Sequence, residues 1–151
     1  MKCIHLAVLI IAFGLMSGSC SAHRDNHVEF LNDKHQKDSN LPFSQAVKVG
    51  NLVFLSGEIG VDKTTGKLVS GGISAEAKQT MSNIKSTLAA HGISMKNLVK
   101  CTVMLAEISE WQAFNEVYIT YFEKPYPARS AFGANGLALG AKVEVECIAA
   151  I

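Results

Sequence analysis

From Leu41 to the C-terminus, apolar residues recur with two periods, and the switches between them lay out the elements. Ala46-Val47-Lys48-Val49 and Leu52-Val53-Phe54-Leu55 flank Gly50-Asn51, which predicts two strands joined by a two-residue turn. Asp62 to Gly72 is rich in Lys, Thr, Gly and Ser and reads as a loop. Ala77, Met81, Ile84 and Leu88 then follow helical spacing, with Ser74 placed to cap the helix and Gly92 to end it. Leu98 to Leu105 alternates as a strand, with Val99, Cys101, Val103 and Leu105 on one face. Ser109 and Gln112 have the spacing of a capping box opening a second helix, whose apolar face runs from Trp111 through Phe114, Val117 and Tyr118 to Phe122. Pro125 and Pro127 stop it. Ser130 to Phe132 reads as a short strand, Gly133 to Gly136 as a bend, and Lys142 to Ile151 as a final long strand.

The order β-β-α-β-α-β-β defines an α+β domain over residues 41–151, a mixed sheet with two helices laid on one face. Each helix carries a single apolar stripe, so the second sheet face is left to solvent or to another chain. Val47, Val49 and Met104 make that face less than fully polar, and association is expected.

The N-terminus follows a different logic. Lys2 precedes an almost unbroken apolar run from Ile4 to Leu15, and small residues follow from Ser17 to Ala22. This is the pattern of a secretory signal peptide over residues 1–22, cleaved after Ala22. Gly18-Ser19-Cys20 also resembles the end of a lipobox, so lipid attachment at Cys20, and with it a membrane anchor, is the rival reading. Both place the protein outside the cytoplasm, in the periplasm or secreted. Residues 23–40 are polar and read as a flexible linker. His23, His27 and His35 within it have no carboxylate partner at a recognised metal spacing, and a solvated linker is preferred to a metal site.

Composition agrees with a compact globule: 48% of residues are apolar and 18% charged. The formal net charge of +1 comes from Lys2, so residues 23–151 are neutral and lack the basic footprint of a nucleic-acid binder. Past the leader only Cys101 and Cys147 remain, both in strand-like apolar runs. They are read as small buried thiols in preference to a bridge.

Three places can carry chemistry. Arg129, in Pro127-Ala128-Arg129-Ser130, follows a proline turn and can fork onto a carboxylate; an ordinary surface or interface ion pair is the rival reading. Strand alternation puts Glu144 and Glu146 on one face and Val143, Val145 and Cys147 on the other, and a carboxylate there can move protons if it is buried. Ser56, before Gly57-Glu58 at a strand end, is a possible donor to a ligand. No residue is placed to make a triad with His91.

Read together, Phe43-Ser44-Gln45-Ala46, Val53 to Ile59, Asn97-Leu98-Val99-Lys100, Phe114-Asn115 with Tyr121-Phe122, Pro127-Ala128-Arg129-Ser130 and Val143 to Ala149 occur in one order. In that order they resemble the RidA (YjgF-type) family of reactive-intermediate imine and enamine deaminases, from Leu41 to the C-terminus. The resemblance implies a chorismate-mutase-like fold and a homotrimer with clefts between subunits. It further implies hydrolysis of 2-imino or enamine acids to 2-oxo acids and ammonia, with no cofactor or metal. It makes Arg129 the carboxylate-binding arginine and Glu144 the glutamate that activates water, with Ser56, Asn115 and Phe43 at substrate-binding positions. Phe43 stands where Tyr is common, Glu58 where Gln is common, Ala131 where Cys is frequent, and Ala138-Leu139 lacks the usual Leu-Pro. These departures keep a second function open, a non-catalytic trimer of the same fold that binds a small ligand or a protein.

Overall fold

The computed structural model describes residues 27–33 and 41–151. The leader, His23 and His35 lie outside these residues. The strands are β1 (Val28–Leu31), β2 (Ala46–Val49), β3 (Leu52–Leu55), β4 (Glu58–Ile59), β5 (Val61–Asp62), β6 (Lys67–Leu68), β7 (Leu98–Leu105), β8 (Ala128–Gly133) and β9 (Val143–Ala150). The helices are α1 (Gly72–Ala90) and α2 (Trp111–Tyr118), the latter entered through a 3-10 turn at Ile108–Glu110 and left through another at Ile119–Tyr121.

One sheet runs in the order β1-β2-β3-β9-β7-β8, with β4 also on β9. All neighbours are antiparallel except β7 and β8, whose parallel pairing needs the crossover that α2 supplies. The core lies between this sheet and the helices. Val53, Leu55, Cys101, Val103, Leu105, Val143, Val145, Cys147 and Ala149 point into it, against Ala77, Met81, Ile84 and Leu88 of α1 and Phe114 of α2. The opposite sheet face carries no helix, and on it Phe30 is 69%, Phe54 42% and Phe132 49% exposed. The expectation of one covered and one uncovered face therefore holds.

Several local readings are corrected. The supposed linker contributes β1, which extends the sheet because Val28, Glu29, Phe30 and Leu31 register against β2. Asp62 to Gly72 is not wholly loop: β5 and β6 form a small hairpin there. Helix α1 begins before Ser74, since Gly71 and Gly72 take positive φ and turn the chain earlier, with no side-chain cap. Ser109 sits inside the 3-10 turn, so the capping box does not form and α2 has no side-chain cap. Gly92 ends α1 as expected, at φ +71, with its N–H donating to the Ala89 carbonyl. On β7, the register steps between Leu98 and Lys100, so Val99 bulges outward and Leu98 takes the inward place.

The main correction concerns the cysteines. Cys101 and Cys147 are buried, as expected, but they are bonded to each other. They are register partners on β7 and β9 with their Cα atoms 4.1 Å apart, a separation that only the strand pairing could reveal. The bridge lies just beyond the bulge and closes a separation of 46 residues. Removing it with Cys101→Ala and Cys147→Ala should lower the unfolding free energy by about 2–4 kcal/mol, read from urea titrations of both proteins.

Candidate active site

Parallel pairing makes Arg129 the register partner of Cys101, and Cys101 faces the helices. Arg129 therefore enters the helix side of the sheet, at its β8 edge. Its guanidinium carbon lies 4.6 Å from the ring centre of Tyr118, 4.9 Å from that of Trp111 and 6.0 Å from that of Phe114, all on α2. Beside it opens a cleft of about 490 Å³ whose wall includes Asn115, Tyr118, Ile119, Tyr126 and Arg129. Three buried polar atoms around this cleft, Arg129 Nη1, Asn115 Oδ1 and the Tyr118 hydroxyl, have no hydrogen-bond partner among the described residues. Buried polar groups are nearly always paired, so three orphans on the residues of one wall mark a place where a polar ligand would complete the structure. The ion pairs within the described residues are Lys96–Glu123 and Lys142–Glu110, and Arg129 belongs to neither.

Glu144 is elsewhere. It pairs with Met104, while its neighbours Val143 and Val145 are buried under the helices, so its side chain lies on the uncovered face. It is half-buried there, and burial first, then the negative charge of Glu146, push its carboxyl above the usual carboxylate range. A side chain on Gly57 would overlap the Glu144 carboxylate, so the absent Cβ at this position makes room for it. Ser56, next to Gly57, donates its hydroxyl to the Ser44 carbonyl at 2.7 Å, which ties the strand end to the segment that carries the half-exposed Phe43. The expected residues thus fall into two groups, Arg129 with Asn115 on one side of the sheet, and Glu144 with Gly57, Ser56 and Phe43 away from them. Strands β8 and β9 are not neighbours, because β7 lies between them.

Glu58 stands apart from both groups. It pairs with Val145 and turns toward α1, where its Oε1 accepts from the Thr87 hydroxyl at 3.0 Å. It adds no charge beside Glu144. Sequence reasoning counted Trp111 and Tyr118 only as apolar surface. Their seven-residue spacing, two turns on one helix face, is the signal that could have joined them to Arg129. Among the described residues no group of three or more His, Cys, Asp or Glu could hold a metal ion.

An α+β fold with one uncovered sheet face, an unpaired arginine in a cleft and a raised carboxyl behind the sheet defines a class of small-molecule site. Comparison with known proteins names the family. Residues 34–151 match the model of the family described as Endoribonuclease L-PSP. A human protein named 2-iminobutanoate/2-iminopropanoate deaminase is 44% identical over 108 residues, covering 72% of this chain and 79% of that one. RidA from an Antarctic Psychrobacter species superposes with a TM-score of 0.71 at 41% identity, covering 75% of this chain and 91% of that one. TdcF of E. coli with bound serine gives 0.70 at 31% identity, with coverage of 75% and 91%. The chain belongs to this family, that of the RidA-like proteins.

Burial pushes the Glu58 carboxyl up; the positive charge of Lys63 and the Thr87 hydrogen bond oppose it, and the charge of Asp33 adds to it. A group with a raised folded pKa stabilises most at acid pH, and its contribution is lost as pH rises through that pKa. Unfolding free energies measured across pH should therefore fall less steeply above the usual carboxylate range in Glu58→Gln than in the wild type.

Proposed function

We propose that the protein hydrolyses 2-imino and enamine acids to 2-oxo acids and ammonia, in a cleft shared between the subunits of a homotrimer. The observation that carries this reading is the Arg129 guanidinium, buried at Nη1 without an acceptor and facing a cleft with the orphaned Asn115 amide oxygen. An isolated guanidinium is matched to one carboxylate, the group that every 2-imino acid carries. It does not offer the row of cations that a phosphate backbone needs, which favours a small acid over nucleic acid. Relatives named as imine deaminases, and one solved with bound serine, an amino acid with the same carboxylate, support the assignment.

The chemistry asks for little. The imine carbon is already electrophilic, so orientation and proton transfer are what the protein must add. Arg129 would hold the carboxylate through two parallel hydrogen bonds. Water adds to the C=N carbon, giving up a proton to Glu144 of the partner subunit, which returns it to the nitrogen; a second proton then passes from the new hydroxyl to the nitrogen, the C–N bond breaks, and ammonia leaves as the C=O bond forms. A carboxyl raised by burial sits nearer neutrality and can take and return that proton. Ser56 and Phe43, beside Glu144, would complete the partner's wall of the cleft. Because Arg129 and Glu144 occupy opposite faces of one chain's sheet, a site containing both requires two chains, and the uncovered apolar face supplies a surface for their association.

Arg129→Ala should lower kcat/KM by about two to four decades while the oligomer survives, since a substrate carboxylate is left unpaired. Glu144→Gln should lower turnover more than binding. The decisive arm is a mixture: inactive Arg129→Ala and Glu144→Gln chains, unfolded and reassembled together, should recover about a quarter of wild-type activity by random pairing in a closed ring. A mixture as inactive as its parts, or a monomer in sedimentation, would overturn the shared site.

We also propose that the protein works outside the cytoplasm. The leader pattern of Lys2, Ile4 to Leu15 and Ser17 to Ala22 supports this, and so does the Cys101–Cys147 bridge, since disulfides persist mainly in oxidising compartments. Mass spectrometry of the native protein should find an N-terminus at His23 or a lipidated Cys20, and a gain of two hydrogens only after denaturation with a reductant. Intact Met1 on protein with free thiols would overturn the export reading.

A further inference from the structure

Among the described residues, Arg129 is held by aromatic rings and by no acid that would neutralise it. Trp111 and Tyr118 stand two turns apart on one face of α2, and the guanidinium lies over both rings, at 4.9 and 4.6 Å. Phe114, on the turn between them, is at 6.0 Å. Tyr118 is in turn held by Phe114 and Phe122, with ring centres at 5.5 and 4.7 Å. A ring face attracts a cation through its quadrupole but offers no lone pairs for the fork of N–H donors. An acid in the same place would hold the arginine equally well and occupy that fork.

We propose that Trp111 and Tyr118 are positioning residues for carboxylate recognition: they fix Arg129 at the cleft while leaving its donors unspent. The proposal rests on the reading of the site above only in taking Arg129 as the carboxylate-binding group. It explains why a buried Nη1 has no acceptor, why no described acid pairs with Arg129, and why the ring pair lies on the helix that also carries Asn115. The ligand class is a small monocarboxylate, one anion per guanidinium.

Trp111 is the one tryptophan of the chain, so its fluorescence reports on this place alone. Titration of the full-length protein with 2-hydroxybutanoate, which has the carboxylate but no imine to hydrolyse, should shift Trp111 emission to saturation. Arg129→Ala should abolish the shift. Calorimetric Kd values for the same ligand should weaken on the order of tenfold in Trp111→Leu and in Tyr118→Leu, with KM for imino acids rising in parallel and, in Trp111→Leu, kcat kept within about twofold. Trp111→Phe should stay within about threefold of wild type, because it keeps a ring face. If Tyr118→Leu fails to fold, Trp111→Leu decides alone, since Trp111 is only half-buried. Leucine variants that bind like wild type, a loss confined to kcat, or a wild-type protein that binds no carboxylate would each overturn the proposal. Wild-type protein that binds 2-hydroxybutanoate through Arg129 but leaves imines untouched would end the deaminase reading and keep the ring box.

Discussion

Alternation along β8 and β9 sends Arg129 and Glu144 to opposite faces of one sheet, and the rest of the molecule is arranged around that separation. The helices cover one face and half-bury the arginine; the other face, with the glutamate, carries no helix. A strand cannot turn one side chain through the sheet without inverting its whole inward set, so Val143, Val145 and Cys147 in the core commit Glu144 to the outside. The same rule applied to β8 commits Arg129 to the inside, because Ala131 packs against the core and Ser130 and Phe132 face out.

Removing part of a cation from water without a counter-charge is unfavourable, and among the described residues aromatic faces rather than an acid offset this. That choice leaves the guanidinium attracted but unsatisfied, the condition under which a ligand carboxylate gains most. The site is preorganised: one short helix, α2, carries Asn115 and Tyr118 in the cleft wall and Trp111 and Phe114 beside the guanidinium, and the Tyr118 ring packs between Phe114 and Phe122. A ligand entering such a cleft orders few side chains, so less of its binding energy is spent on rearrangement.

The strand next to Arg129 has its own reinforcement. Edge strand β8 rests on β7 alone, and β7 carries a bulge at Val99. The Cys101–Cys147 bridge secures β7 to β9 in the same row as Arg129, directly after that irregularity. The strand that carries Arg129 therefore pairs with one that is itself covalently fixed to the next.

Residue periodicity was enough to establish the strand pair at Ala46–Leu55, the long strands β7 and β9, helix α1 with its glycine stop, and the one-sided burial of the sheet. These depend on which neighbours along the chain share a face, and that is written in spacing of two or of 3.6. Motif order brought forward Arg129, Glu144, Ser56, Asn115 and Phe43 as candidates. What periodicity could not carry was contact between distant segments. The cysteine bridge, the departure of Glu58 toward Thr87, the Gly57 recess under Glu144 and the ring pair over Arg129 each join residues whose nearness depends on strand order and register. The separation of Arg129 from Glu144 is of the same kind: each side chain's face follows from its own strand, but their joint placement needed β7 set between β8 and β9, a pairing chosen by the burial of the whole sheet.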